Sequence, residues 1–159
     1  MADSHLTGSS DGPGKPVFTR IDHVGFAVKD LDAAIEFWTS TYGLECVHTE
    51  INEEQGVREA MLKVGETTTG PSYIQLLQPT RPDSPVGKFI ERNGEGVQQV
   101  AFGVSDLASA MEVSHDHSVR TTSAEPRHGT FGSKVAFLHP KDTGGVLVEL
   151  VEANPDGEH

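Results

Sequence analysis

The chain of 159 residues carries 12 Lys and Arg against 24 Asp and Glu, a formal net charge of −12. That balance argues against a nucleic-acid partner gripped through its phosphates, because such contacts need clustered cations. A single cysteine, Cys46, excludes an internal disulfide framework and suits a reducing cytoplasm. No apolar run approaches the roughly 18 residues of a membrane helix. The opening M-A-D-S-H-L-T-G has neither the basic start nor the apolar stretch of a secretory leader. A soluble cytoplasmic protein with no membrane partner is expected.

Residues 1–16, rich in Ser, Gly, Asp and Pro, are expected to form a flexible tail. In I-D-H-V-G-F-A-V, Val24, Phe26 and Val28 alternate with His23, Gly25 and Ala27. Period two predicts a strand with one bulky apolar face and one small, polar-tolerant face. A helix follows over 31–42, with Asp30 as its N-cap, Leu31, Ala34, Ile35 and Trp38 on one stripe, and Gly43 as a left-handed cap. Strands at 44–50, 58–64 and 72–78 complete a βαβββ module over 17–80. Prolines at 82 and 85 mark a linker over 81–95 that includes a short helix near 85–92.

Residues 96–153 then repeat the pattern. Val24/Val100, Phe26/Phe102, Val28/Val104, Asp30/Asp106, Leu31/Leu107 and Ala34/Ala110 are each 76 positions apart, and in that frame His23 falls on Gln99. Asp106 caps the second helix, and strands are expected at about 118–124, 133–139 and 145–151. Gln75 and Glu149 occupy matching places, 74 positions apart. Residues 154–159 form a second expected tail. In the second helix His115 and His117 form H-x-H, read here as exposed helix-end histidines and not as a metal motif. The stretch 129–133, G-T-F-G-S, reads as a turn, and Cys46 as a packed thiol.

Two such modules predict an α+β fold in which one curved, partly open, barrel-like mixed sheet carries its helices outside. By strand parity His23, Gln75, Gln99 and Glu149 face the trough of that sheet, and Glu59 joins them from the neighbouring strand. His23 alone would read as an ordinary hydrogen-bonded histidine. Four polar residues at equivalent positions are harder to bury without partners, and a shared ligand accounts for all of them.

The segments I-D-H-V-G-F-A-V, N-E-E-Q-G-V-R-E-A-M-L, Y-I-Q-L-L-Q-P, V-G-K-F-I-E-R-N-G-E-G, E-P-R-H-G-T-F-G-S-K, F-L-H-P-K-D and G-V-L-V-E-L span nearly all of 19–152. In this order they resemble the vicinal oxygen chelate superfamily, which includes glyoxalase I, extradiol dioxygenases and fosfomycin resistance proteins. Within it they are most similar to the methylmalonyl-CoA epimerases. The resemblance implies a divalent metal (Co, Ni, Mn, Mg or Zn) on His23, Gln75, Gln99 and Glu149, an acid/base pair of Glu59 and Glu149, and a homodimer. It also implies a histidine at the third ligand position. Here both residues of that histidine pair are glutamine, Gln98 and Gln99.

A carboxamide in place of imidazole favours harder ions over cobalt or nickel, and loss of the metal is the other outcome. Three functions follow from the resemblance. The first is an epimerase acting on an acyl-CoA thioester through an enolate. The second is a repurposed relative carrying out acid/base dehydration, cyclisation or isomerisation of a polyketide-like molecule with little or no metal. The third is a resistance protein that sequesters a small molecule.

Overall fold

The structure is a computed structural model that describes residues 16–65 and 70–154. Apart from residues 16 and 154, the two expected tails lie outside the described residues. In chain order the elements are β1 (Phe18–Ala27), α1 (Leu31–Tyr42), β2 (Glu45–Asn52), β3 (Val57–Val64), β4 (Ser72–Pro79), α2 (Pro85–Asn93), β5 (Gly96–Val104), α3 (Leu107–Asp116), β6 (Arg127–His128), β7 (Lys134–Leu138) and β8 (Val148–Glu152). The strands form one sheet in the order β2-β3-β4-β1-β5-β8-β7-β6. Each half contributes the same arrangement: β1 runs parallel to β4, β5 runs parallel to β8, and β1 and β5 meet antiparallel at the centre. This is the α+β fold of two tandem modules that the repeat predicts.

The caps form as the sequence indicates. Asp30 accepts from the Ala33 amide at 3.0 Å and Asp106 from the Ser109 amide at 3.1 Å. Gly43 ends α1 in the left-handed region, at φ 74°. The duplication extends to a device not read from the sequence. The amide of Leu31 donates to Gln78 at 2.7 Å and that of Leu107 to Glu152 at 2.8 Å. In both modules the last inner strand therefore anchors the first turn of the helix, satisfying an amide with no partner inside the helix.

Burial follows strand parity. Leu31 of α1, with Ala34, Ile35 and Trp38 beside it, packs on Ala60, Leu62 and Leu76 of the sheet, and Phe26 and Val28 join this cluster. On the other half Leu107, Ala110 and Met111 of α3 pack on Ala136, Leu138 and Leu150. Both module helices thus cover the outer face. The linker helix differs: Val86, Phe89 and Ile90 of α2 pack on Ala27, Val57 and Leu77, which lie on the trough side. Pro85 opens α2 and Ser84 caps it from the Gly87 amide, so the linker becomes part of the trough wall.

One expected element is absent. No strand forms over 118–124 among the described residues; Thr121 makes an isolated bridge to Leu138, and the strand proper is the two-residue β6. The V-R-T-T-S run has strand-forming residues, but its local bonds compete with a ladder. Thr121 Oγ1 donates to the Ser123 carbonyl at 2.8 Å, and the Arg120 amide donates to Asp142 at 2.9 Å. The last strand also starts later than expected, at Val148 rather than 145, because Gly144 and Gly145 take positive φ in the preceding turn.

Two bulges in the central pair set the inner face. On β1, Ile21 pairs with Phe102 and His23 with Ala101, which leaves Asp22 as the extra residue. On β5, Gln99 pairs with Gly25 and Val97 with Phe26, which leaves Gln98 extra. A bulge breaks the alternation of side chains, so Asp22 turns inward beside His23, and Gln98 inward beside Gln99. Gly25 is needed opposite Gln99: a Cβ there would lie 2.7 Å from Gln99 Cγ.

Candidate active site

The trough encloses a cavity of about 280 Å³ whose wall includes Glu59, Gln75, Gln99 and Glu149. This is close to the lower end of the usual range for small-molecule sites. Val57, Leu77, Val86, Phe137 and Leu147 make up an apolar part of the wall. A second space of about 10 Å³, the size of one water, adjoins Asp22, His23, Thr130 and Glu149. Glu149 lines both spaces and stands between them.

All five residues expected at the site are buried: His23, Glu59, Gln75, Gln99 and Glu149 are each no more than 6% exposed. Hydrogen bonds connect them in one chain. His23 Nε2 lies 3.0 Å from Glu149 Oε1, and Gln99 Nε2 donates to the same oxygen at 2.8 Å. Gln99 Nε2 also reaches Gln75 Oε1 at 3.4 Å, and Gln75 Nε2 donates to Glu59 Oε1 at 2.7 Å. His23 is hydrogen-bonded, as an ordinary strand histidine would be, and its partners come from both modules: Asp22 of the first and Glu149 of the second.

The structure adds three side chains to this set. Asp22 Oδ2 holds His23 Nδ1 at 2.8 Å and is itself held by Arg20 at 2.6 Å. Thr130, in the turn expected at 129–133, donates to Glu59 Oε2 at 3.0 Å and accepts from Gln75 Nε2 at 3.1 Å. Its neighbour Phe131 sits at φ 63° inside a short 3-10 turn, Thr130–Gly132, which turns Thr130 into the trough. Gln98 is the third, brought into the cavity wall by its bulge.

Electrostatics separates the carboxyl groups. Burial pushes the Glu59 pKa up to about 8, helped by the carboxylate of Glu50 beside it, while the Thr130 hydroxyl pulls the other way. Glu59 can therefore both take and return a proton near neutral pH. Burial works against a charge on His23, but hydrogen bonds to Asp22 and Glu149 outweigh it and raise the imidazole to about 9. Burial would raise Asp22 as well; hydrogen bonds and charge from His23 and Arg20 prevail and lower it.

The donor set is compatible with a metal ion. Two ligands at right angles, each about 2.1 Å from a common centre, lie about 3.0 Å apart. The separations along His23, Glu149, Gln99 and Gln75 are 3.0, 2.8 and 3.4 Å. Rotating the Gln99 carboxamide by half a turn would present its oxygen. Among the described residues no three His, Cys, Asp or Glu side chains gather as a metal-binding group, so an ion here would depend on the two carboxamides.

The sequence pattern of the Glyoxalase/Bleomycin resistance protein/Dioxygenase superfamily matches residues 22–137. The chain belongs to this superfamily. Among its members with solved structures, a variant of Streptomyces coelicolor methylmalonyl-CoA epimerase in complex with 2-nitronate-propionyl-CoA is 55% identical. That match covers 86% of this chain and 98% of the relative, with a TM-score of 0.83. A methylmalonyl-CoA epimerase in complex with methylmalonyl-CoA and ammonium is 54% identical, over 89% and 99% of the two chains, with a TM-score of 0.85. The mitochondrial methylmalonyl-CoA epimerase of Homo sapiens is 34% identical over 84% of this chain and 74% of its own.

His115, His117 and His139 stand apart from the trough. His115 bonds Thr121 at 3.1 Å and His117 bonds the Val113 carbonyl at 2.9 Å, both on the exposed end of α3. His139 caps a short 3-10 turn, Pro140–Asp142, and has a structural place. Cys46 packs beside the α1 cluster, as read from the sequence.

Proposed function

We propose that the protein is an isomerase of the methylmalonyl-CoA epimerase type, inverting the α-carbon between the thioester and the carboxylate of methylmalonyl-CoA. The observation that carries this reading is the pair of buried carboxyl groups, Glu59 from β3 and Glu149 from β8, on the wall of one cavity. The similarity to epimerases over nearly the whole chain favours it over the cyclase and sequestration alternatives.

The α-proton is acidified by the carbonyl on each side, and its removal leaves an enolate whose charge must be stabilised. Glu59 and Glu149 come from different modules, so they address the α-carbon from different sides: one takes the proton, the other returns it to the opposite face. Hydrogen bonds from Thr130 and Gln75 fix the orientation of Glu59. The apolar wall of Val57, Leu77 and Val86 keeps bulk water from the enolate. His23, Gln75, Gln99 and Glu149 would hold a divalent ion, which supplies Lewis-acid stabilisation of the thioester and carboxylate oxygens when bound. Asp22 fixes the His23 ring for that task.

In deuterated water with cobalt, manganese or magnesium added, the α-carbon of methylmalonyl-CoA should acquire deuterium as the epimer accumulates, followed by proton NMR. Retention of the α-proton with every one of these ions would overturn the proposal. The resemblance also supports a homodimer, which sedimentation in solution tests. No helix among the described residues is long and apolar enough to cross a membrane.

A further inference from the structure

β2 and β6 are the outermost strands of the sheet, yet two contacts join its edges. One is an ion pair: Arg127 Nη2 of β6 lies 2.6 Å from Glu54 Oε2, in the turn between β2 and β3. The other is aromatic. The ring of His48 on β2 packs on that of Phe131, three residues beyond β6, with centroids 4.4 Å apart and planes inclined by 40°.

Phe131 is held in an unusual conformation. At φ 63° and ψ 24° it lies in the left-handed region, which a bulky side chain enters only at a steric cost. Such strain persists where the surrounding contacts over-determine it. Here those contacts include the His48 ring and the ring of buried Tyr73, whose centroid is 6.1 Å away. The His48 ring is itself fixed by Glu50, whose Oε1 bonds its Nε2.

The residue before Phe131 is Thr130, which donates to Glu59 Oε2 at 3.0 Å and accepts from Gln75 Nε2 at 3.1 Å. Thr130 belongs to the second module, whereas Glu59, Gln75 and His48 belong to the first. The Gly129 amide donates to the Ser133 carbonyl at 3.0 Å, and the Ser133 amide to the Thr130 carbonyl at 3.2 Å. These backbone bonds shape the turn without tying it to the first module. The contact between His48 and Phe131 does tie it there. His48 does not line the cavity, so it acts on the site through its neighbours. One route runs through its ring to Phe131 and Thr130. The other runs through its Nε2 to Glu50, which pairs with Glu59 across β2 and β3.

Resting on the epimerase reading, we propose that His48 is a positioning residue: its ring, through Phe131, holds the Thr130 hydroxyl against Glu59 and so sets the direction of the carboxyl group that moves the proton.

Two substitutions separate the ring from its hydrogen bond. His48→Phe keeps an aromatic face for Phe131 and loses the bond to Glu50, whereas His48→Gln keeps a polar group for Glu50 and loses the ring. NMR relaxation of carbon-13-labelled threonine methyls reads the placement directly, with the Thr130 signal assigned by its loss in Thr130→Val. The order parameter of that methyl should fall in His48→Gln and keep its wild-type value in His48→Phe. Turnover of methylmalonyl-CoA should follow. In His48→Gln kcat should drop about tenfold, within the hundredfold that misplaced groups can lose. KM should change by less than about twofold, because binding is untouched. His48→Phe should restore kcat to near the wild-type value. Thr130→Val should lower kcat by a similar factor, and adding His48→Gln to it should lower it no further, since the hydroxyl that the ring places is already gone. Melting temperatures serve as the folding control. Phe131→Leu, which removes the other ring of the pair, takes the place of His48→Gln if that variant fails to fold. A rigid Thr130 methyl in His48→Gln, a loosened one in His48→Phe, or multiplied losses in the double variant would each overturn the proposal. Absence of α-proton exchange by the wild type would sink only the epimerase reading, because methyl relaxation does not depend on the reaction.

Discussion

Asp22-His23 on β1 and Gln98-Gln99 on β5 sit at equivalent bulges of the two halves, 76 positions apart, yet they use the same backbone device for different chemistry. In the first half the extra residue is tied down: Asp22 bonds His23 at 2.8 Å and Arg20 at 2.6 Å. In the second half Gln99 joins the polar network, while the Gln98 oxygen is buried without a hydrogen-bond partner. The duplicated bulge thus supplies two inward residues per half, one ionic pair that fixes a ring and one neutral pair of carboxamides. Where a network must be rigid the charges satisfy one another inside the protein.

The largest expected effect tests the division of proton transfer between the halves. Glu59→Gln should lower turnover about a hundredfold or more, the scale of a positioned acid or base, with the melting temperature nearly unchanged. Full activity of this variant would leave Glu149 alone with the chemistry. Next comes Asp22→Asn, which loosens the ring that the first-half pair fixes. Cobalt affinity should fall by about tenfold to a hundredfold, as for other groups behind a ligating histidine, read by competition with a chelator. Gln99→His makes the second half match the first and should tighten cobalt by about tenfold through the added imidazole. Equal or weaker binding in that same assay would remove position 99 from the ligand set.

The smallest effect lies where the halves differ in strand content. Arg120 and Asp142 hold the segment that replaces a full outer strand, through contacts of 2.9 and 3.1 Å. The hydrogen bond from the Arg120 side chain, then that from its backbone amide, lowers the Asp142 pKa to about 2 from 3.8. A depressed carboxyl pKa stabilises the fold above the unfolded value and ceases to do so as pH falls through the folded one. Asp142→Asn should therefore melt slightly below the wild type at neutral pH. The difference should shrink as pH drops from 3.8 towards 2, followed by circular dichroism. A constant difference across that range would assign the pair no electrostatic role.

Strand parity alone brings His23, Glu59, Gln75, Gln99 and Glu149 to one face, because alternation holds within each of their strands between bulges. It misplaces Asp22 and Gln98, since nothing local in I-D-H or V-Q-Q announces an extra residue. The bulges become visible only in the pairing of β1 with β5. Thr130 is hidden for another reason: it lies in irregular backbone, where no period relates position to direction. The 118–124 segment shows the limit of strand propensity, which depends on a neighbouring ladder as much as on the residues themselves. The metal-ligand assignments rest on the resemblance, and the separations among His23, Glu149, Gln99 and Gln75 are compatible with them.

The central pairing of β1 with β5 bears on how the molecule assembles. His23 lies opposite Ala101 across that pairing, so most of the folded chain must be looped before it can form. The hairpins β2–β3 and β3–β4 close over much shorter spans and carry a smaller entropic barrier. Each half is thus expected to gain local structure first, with the halves docking afterwards. Glu59 and Glu149 come to share one cavity only at that final stage. Recovery of the complete site during refolding consequently reports the docking of the two halves.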